Sequence, residues 1–510
     1  MEGPEGMKIL VIGAGMGGMM SAARLAKAGH EVNLYEASNR VGGKLHTEWI
    51  GKVAFDTGPS LLTLPAVYKD FFARTGKHLG HLCEIKAVDP SFDYRFADGT
   101  SVKFANLSRY ETLKNLRAAY GDDVAQQWDQ VMRRAERMWD VSREPFIENE
   151  LRSPLSLLKR VSLLRDLKII APWKSLRQLA NESLPDQHLR FILDRYATYS
   201  GSDPRKAPAV LASIAFVEEC FGAWHIKGGL GTLATLVHER AEKLGVVFHL
   251  DSPVAKINIS KGKATGITLD SGDVIAADAV VANADASLIY NKLITGKIRK
   301  IKKVRKNIEK ADPSLAGFSL LLAMRKDDSA PLNHHTVLFP NDYDAEFDAI
   351  FTHKQPVAQP TIYICATHDD AMSKDETLES WFVLVNAPAH GPKGFNWNDQ
   401  EFVRTYAESI IDQIESRGIA IRSRLESLTI RTPADLESAV RAPGGSIYGT
   451  SSNGAKAAFM RAKNRSPIKG LYCVGGSAHP GGGLPLVGLS AEIVANAVEI
   501  VHNAAPLKSH

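Results

Sequence analysis

The sequence predicts an α/β protein: a Rossmann-type dinucleotide-binding domain, discontinuous in the chain, with a substrate-binding domain and a helical region inserted into it. Three observations carry that prediction. "VIGAGMGG" follows an apolar strand at the N-terminus and opens a helix, and "NRVGGK" adds a second glycine pair just after an acidic strand end. Far along the chain, "VGGSAHPGGGLPLV" again runs from a strand through a glycine-rich loop into a helix. The first and last glycine loops lie more than four hundred residues apart in the numbering, so the domain is discontinuous and what lies between them is inserted into it.

Each element has a local cause. "KILVIG" is a continuous apolar run, as a parallel strand buried on both faces requires. In Gly13-x-Gly15-x-x-Gly18, Gly13 permits the tight turn and Gly15 lets the backbone approach a pyrophosphate. Gly18 lets helix and strand pack closely. The helix starting near Met16 offers unpaired N–H groups to phosphate. Glu36 ends the second strand, where a carboxylate accepts from a ribose diol and repels a 2′-phosphate. Arg40, Gly43 and Lys44 then form a second small-residue loop with cations, suited to a longer adenine dinucleotide. This pattern resembles the FAD-binding oxidoreductases related to amine oxidases and glutathione reductase, which points to FAD.

Further pieces follow in order. "VAFDTGPSLLTLP" reads as a strand and a Gly/Pro turn; in the resembling superfamily such an element passes the flavin, which implies Ser60 and Leu61 beside it. Asp56 there is read as a turn residue bonding its own backbone. "GGLGTLATLVHERAEKLG" predicts a helix from about Thr232, followed by strands "VVFHL" and "VAKINI". Val254 occupies the position where the resembling proteins contact adenine through backbone atoms. "ADAVVANADAS" predicts a buried strand ending at Ala282 and Asn283, able to run beneath a cofactor. Gly475 and Gly476 open the last loop, and a helix beginning near Pro485 brings Leu486 and Val487 with it. Its N-terminal partial charge suits a developing anion.

The boundaries follow: 1–88, 222–296 and 441–510 as three parts of the FAD-binding domain, 89–221 as a mainly helical substrate or membrane-associating region, and 297–440 as the substrate-binding domain. The 510 residues allow two or three cores, and 44% hydrophobic with 23% charged residues is the composition of a folded protein. A net charge of +5 is too mild for a dedicated nucleic-acid binder, so no nucleic-acid partner is expected. The four cysteines lack CxxC spacing, which suggests neither a zinc site nor a disulfide framework and fits a reducing cytosol. The strand pattern starts almost at once, leaving 1–6 as a short leader with no signal peptide.

Two basic stretches leave alternatives open. Ser153 to Leu179 interleaves Leu158, Leu164, Ile170 and Trp173 with Lys159, Arg165 and Lys174. It fits a membrane interface or a surface helix packed on the core. "KIRKIKKVRKNIEK", Lys297 to Lys310, fits anionic lipid or a solvated face. No nucleophile or HExxH motif appears. His334 and His335 are the only adjacent histidine pair; strand neighbours point to opposite faces, so no metal is expected. His225 in "AWHIKGG" and His479 in "SAHPGGG" sit beside predicted cofactor loops and are candidates for handling a proton, with structural hydrogen bonding as the alternative.

Taken over nearly the whole chain, "VIGAGMGG", "YEASNRVGGK", "FDTGPSLLT", "WFVLVNAPA", "SIYGTSSNGAKAAFMRAKNRSP" and "GLYCVGGSAHPGGGLPLVGLSAE" resemble the bacterial carotenoid desaturases of the phytoene desaturase type. The C-terminal motifs are more similar to the 1-hydroxycarotenoid 3,4-desaturases. The resemblance implies FAD as the sole redox cofactor and a carotenoid substrate taken up at the inner face of the cell membrane by a cytoplasmic, peripherally bound enzyme. It also implies reoxidation by oxygen or quinone, and loss of an allylic hydride and a neighbouring proton from the polyene. Rival readings are phytoene or diapophytoene desaturation, a carotenoid isomerase or retinol saturase, and a prenyl-binding escort protein without flavin. The oligomeric state is left open.

Overall fold

The computed structural model describes residues 6–151, 162–327, 329, 331–454 and 457–504. Residues 1–5 of the expected leader and 153–161 of the basic amphipathic stretch lie outside the described residues.

A five-stranded parallel sheet is assembled from the whole length of the chain. Its order is Leu471–Cys473, Ala279–Ala282, Lys8–Ile12, Glu31–Tyr35 and Val247–His249. Ile9 to Ile12 pair with Ala279 to Ala282 on one side, and Lys8 to Ile12 with Glu31 to Tyr35 on the other. Helix Met16–Lys27 covers one face, packed on Gly231–Lys243 and Leu484–Asn503. Met19, Met20, Ala22, Ala23 and Leu25 meet Ala491, Val494 and Val498 there, and small side chains allow that close approach. Leu484–Asn503 is long and apolar enough to cross a membrane, yet half of its most apolar window is buried within this fold, as in a core helix.

A three-stranded antiparallel sheet, Val254–Ser260, Lys263–Leu269 and Val274–Ala276, flanks the opposite face. The second large layer is a seven-stranded mixed sheet ordered Leu425–Arg431, Ala316–Arg325, Leu378–Ala387, Ile362–Ala366, His335–Leu338, Phe92–Arg95 and Ser101–Phe104. Two of these strands come from the stretch read as mainly helical, and Phe92–Arg95 pairs in parallel with His335–Leu338. Strand alternation divides the faces of this sheet. Phe318, Leu320, Leu322 and Met324 pack beneath helix Gln400–Ser416, whereas Leu321, Ala323 and Phe382 turn to the other side with Val53 and Phe55. Across the sheet's Phe92 end, helices Asp122–Arg143, Gln187–Thr198 and Ala212–Phe221 form a third core with Phe92, Tyr94 and Phe339.

In the basic run, Lys302–Lys310 is helical. Arg305 is not free to face a partner: its guanidinium donates to the carbonyls of Tyr290, Gly296 and Ile294, closing the preceding helical turn.

Candidate functional site

The first glycine loop works through its backbone. Gly13 has φ +94°, and a Cβ there would lie 2.4 Å from the carbonyl oxygen of Asn283. At Gly18 the added Cβ would lie 2.1 Å from the Gly13 oxygen, so helix and strand close only over a glycine. The helix beginning at Met16 has no side-chain cap and no acidic residue in its first turn, which leaves its leading N–H groups for an anion. Leu484–Asn503 starts the same way after Gly483, with Pro485 in its first turn. Two uncapped helix N-termini therefore open on one space.

That space is a cavity of about 1050 Å³, at the upper end of the roughly 300–1000 Å³ of ordinary small-molecule pockets. Of the residues expected from the sequence to bind the cofactor, Gly13, Gly15, Met16, Glu36, Arg40, Gly43, Lys44, Ser60, Leu61, Val254, Asn283, Gly475, Gly476 and Val487 line it. Three predicted residues do not. Gly18 acts one step back, by packing. Ala282 turns into the apolar cluster of Leu10, Ile12 and Val280, because the last residue of a buried strand points to the sheet's far side. Leu486 is passed over for its neighbours Pro485 and Val487, since adjacent helical residues face different ways.

The side chains around the loop fit FAD. Glu36 accepts from the Ala14 amide at 2.7 Å and from the Ser38 amide and hydroxyl at 2.9 Å, which fixes the carboxylate and leaves lone pairs for a diol. Asn283 donates to the Gly13 carbonyl at 3.2 Å, tying strand end to loop. Lys44 has a different task from the one expected. Its buried ammonium donates to the carbonyls of Ser446 and Ile447 at 2.8 and 2.7 Å, and burial draws its pKa down to about 8. Arg461 donates to Tyr448, Thr450 and Gly476 carbonyls, and burial lowers it to about 10. Two buried cations thus pin "SIYGT" beside the last glycine loop.

Asp56 corrects the turn reading. It is buried and accepts from the Leu230 amide at 2.9 Å, the Gly231 amide at 3.4 Å and the Thr47 hydroxyl at 2.5 Å. It clamps the start of a distant helix rather than its own backbone. Burial raises its pKa, and those donors offset part of the rise.

Neither histidine candidate lines the cavity. His225 pairs with Asp369 at 2.8 Å, and His479 meets the Asn149 carbonyl at 2.9 Å. Burial holds His479 down at about 4. Structural bonding is what the geometry supports for both. His334 and His335 do not point apart: the strand begins at His335, so His334 lies outside the alternation and their rings meet at 4.5 Å. Their donor atoms and the Cys365 sulfur lie within 4.8 Å of one another. His335 Nδ1 contacts the Tyr363 hydroxyl at 2.8 Å, and burial holds that imidazole down at about 3, so it is neutral.

Beyond the cofactor loops the cavity continues between the seven-stranded sheet and two helices. Phe92, Tyr343, Phe382, Leu384, Ile214 and Val217 give it apolar walls. Among the polar side chains that also line it, such as Ser319, Thr361 and Asn386, a hydrogen-bonded cluster around Arg195 was missed in the sequence. Tyr196 and Tyr199 donate to Glu218 at 2.7 and 2.8 Å, and Arg195 Nη1 donates to Tyr199 at 2.8 Å. Burial raises the Glu218 carboxyl, partly opposed by the nearby guanidinium. The signal available was the i, i+4 spacing of Arg195 and Tyr199 in "RYATY", which puts both on one helix face.

Residues 16–317 match the family described as flavin containing amine oxidoreductase. Among curated proteins, the chain is 31% identical over 501 residues to a 1-hydroxycarotenoid 3,4-desaturase of Flavobacterium sp. (strain P99-3), covering 96% of this chain and 99% of that one. It is 30% identical to a 4,4'-diaponeurosporene oxygenase of Staphylococcus haemolyticus (96% and 97% covered) and to a 4,4'-diapolycopene oxygenase of Methylomonas sp (97% and 98% covered). Among solved structures, an oxidoreductase from Methanosarcina mazei superposes with a TM-score of 0.65 at 17% identity, over 96% of this chain and 100% of the other. Putrescine oxidase bound to putrescine gives 0.64 at 14% identity, over 97% and 99%. At these identities the structures share the fold.

Proposed function

From the premise that the chain belongs to the flavin containing amine oxidoreductases, as a carotenoid desaturase-type FAD-dependent oxidoreductase, we propose that it desaturates C3–C4 of a hydroxylated or partly cyclised acyclic carotene. The observation that carries this reading is the single cavity that runs from the dinucleotide loops into an apolar chamber. An amphiphile-length polyene needs such a continuous space, and a small amine does not.

FAD, once bound, supplies the hydride acceptor. The rest falls to the chain. Gly13, Gly15 and the uncapped helix at Met16 hold the pyrophosphate, and Glu36 takes the ribose. The aromatic and aliphatic walls fix the polyene in one orientation and exclude water from the electron-deficient chain left by hydride loss. Glu218 is fixed at that wall by the Tyr196 and Tyr199 hydroxyls, which occupy its two carboxylate oxygens.

Peripheral association with the inner face of the cell membrane is part of the same proposal. Leu164 is 84% exposed and Trp173 65% exposed on and just after the amphipathic helix Leu163–Ile170, beside Arg165 and Lys168. Reoxidation by oxygen or quinone completes the cycle.

The test is expression in cells that accumulate a hydroxylated acyclic carotene, with the pigments compared by absorption and mass. A red-shifted product lighter by two hydrogens is expected. Unchanged mass with altered isomers overturns desaturation in favour of isomerisation, and unchanged pigment with colourless protein favours a lipid carrier. A second reading, oxidation of a terminal methyl, is favoured by the two oxygenases 30% identical to this chain. A product heavier by oxygen selects it.

A further inference from the structure

The Arg195 wall is an expensive arrangement for a chamber that takes only hydrocarbon. Arg195 and Glu218 are 8% and 4% exposed, and both border the cavity with Tyr199. They form no direct ion pair among the described residues; Tyr199 stands between them, accepting from Arg195 and donating to Glu218. A guanidinium carries five N–H donors; here Nη1 donates to Tyr199 and the Tyr94 hydroxyl lies within hydrogen-bonding reach of the group, which leaves further edge donors. Four rings surround the group: its carbon lies 4.7 Å from the Phe92 ring centre, 5.0 Å from Tyr199, 5.8 Å from Tyr363 and 5.9 Å from Tyr94. Cation–π contact with these rings supplies no hydrogen-bond acceptor in the guanidinium plane, so the remaining edge donors need one.

We propose that Arg195, held by Tyr199 and Glu218, binds a neutral oxygen, hydroxyl or carbonyl, on the end of the substrate. The inference rests on the polyene reading above and adds the residues that choose among polyenes. A hydrocarbon end leaves the edge donors unpaired, which penalises the wrong substrate. An anionic end is disfavoured by the Glu218 carboxylate, so a carboxylated chain is a poor fit. The site also stands next to the cofactor side of the cavity. Tyr363, under the guanidinium, is bonded to the Ser60 hydroxyl at 3.0 Å, in the turn that follows Asp56. An oxygen anchored there brings the bonds closest to it, rather than the middle of the chain, to that turn. Anchoring at one end fixes which bond reacts.

The experiment compares FAD-loaded wild type, R195M, R195K and Y199F in liposomes that carry either a 1-hydroxylated acyclic carotene or its oxygen-free counterpart of equal conjugation length. FAD content and thermal midpoint are read on each protein. Wild type is expected to prefer the hydroxylated carotene in kcat/KM, and R195M to lower that preference by roughly 10- to 100-fold, the worth of one hydrogen bond to a charged donor. R195K should recover part of the preference. Y199F, which removes a hydroxyl and no charge, should shift the preference the same way by less, and it carries the test if R195M does not accumulate as holoprotein. Equal losses on both carotenes, or a wild type that prefers the oxygen-free one, overturn the anchor and leave carotenoid desaturation standing. A wild type that converts neither carotene overturns the desaturase reading and the anchor together.

Discussion

The cofactor cradle and the substrate chamber share one cavity and are built by opposite means. In the cradle the working groups are backbone: glycines at 13, 42, 43 and 475 with positive φ, and two uncapped helix starts. In the chamber they are side chains, Arg195, Tyr199, Glu218 and Tyr363, from three elements that meet only in the folded protein. The difference teaches where selectivity resides. A backbone cradle recognises what all its relatives bind, and a side-chain wall can be rewritten one residue at a time without disturbing it.

Four perturbations break or sharpen this contrast. The largest effect is expected from G18A, whose methyl would meet the Gly13 carbonyl at 2.1 Å. Overpacking of this kind weakens FAD binding by roughly 10- to 100-fold, so the variant should purify with little yellow colour. A fully flavinylated G18A would show that side chains carry the cradle after all.

Acid should act on both regions through buried neutral imidazoles. His479, beside the last glycine loop, is held at about 4 against an ordinary 6.5. The unfolded chain then takes up a proton that the folded one refuses, so stability falls as pH drops from about 6.5 towards 4. For this residue alone the loss amounts to about 3 kcal/mol. Equilibrium unfolding at pH 7 and pH 5 should show a gap that narrows in H479N. An unchanged gap would move the acid response to His334 and His335, which burial also holds down, on the chamber side.

D56A sits at the border between the regions, since Asp56 joins the turn before Ser60 to the amides of Leu230 and Gly231. Loss of these bonds should cost about 2 kcal/mol in denaturant unfolding. If FAD affinity drops more than stability does, the turn belongs energetically to the cradle. The smallest effect is expected outside the cavity. Removing the exposed indole with W173A should weaken binding to anionic liposomes by roughly tenfold, measured by co-sedimentation, with FAD content unchanged.

The cradle was legible because its physics is local. A tight turn, a close phosphate approach and a helix start are each set by residues within a few positions of one another, so Gly13, Gly15, Glu36 and Gly43 could be named from spacing alone. The apolar strands and the last helix were legible for the same reason. Asp56 was misread because its partners, Leu230 and Gly231, are remote in sequence and nothing near it announces them. His334 and His335 were misread because strand alternation applies only inside a strand, and where a strand begins depends on its neighbours' pairing.

What the sequence determined by itself is therefore the dinucleotide cradle and the discontinuous α/β architecture, encoded in short-range constraints on the backbone, with the class of chemistry following from the resemblance its motifs carry. Only the tertiary structure decided which charges are buried together. Arg195 and Glu218 are ordinary surface-type residues in the sequence, and they face the cavity only because helices Gln187–Thr198 and Ala212–Phe221 pack side by side over the sheet. Their energetics depend on desolvation, and desolvation is a property of the surroundings, which no single stretch of chain contains.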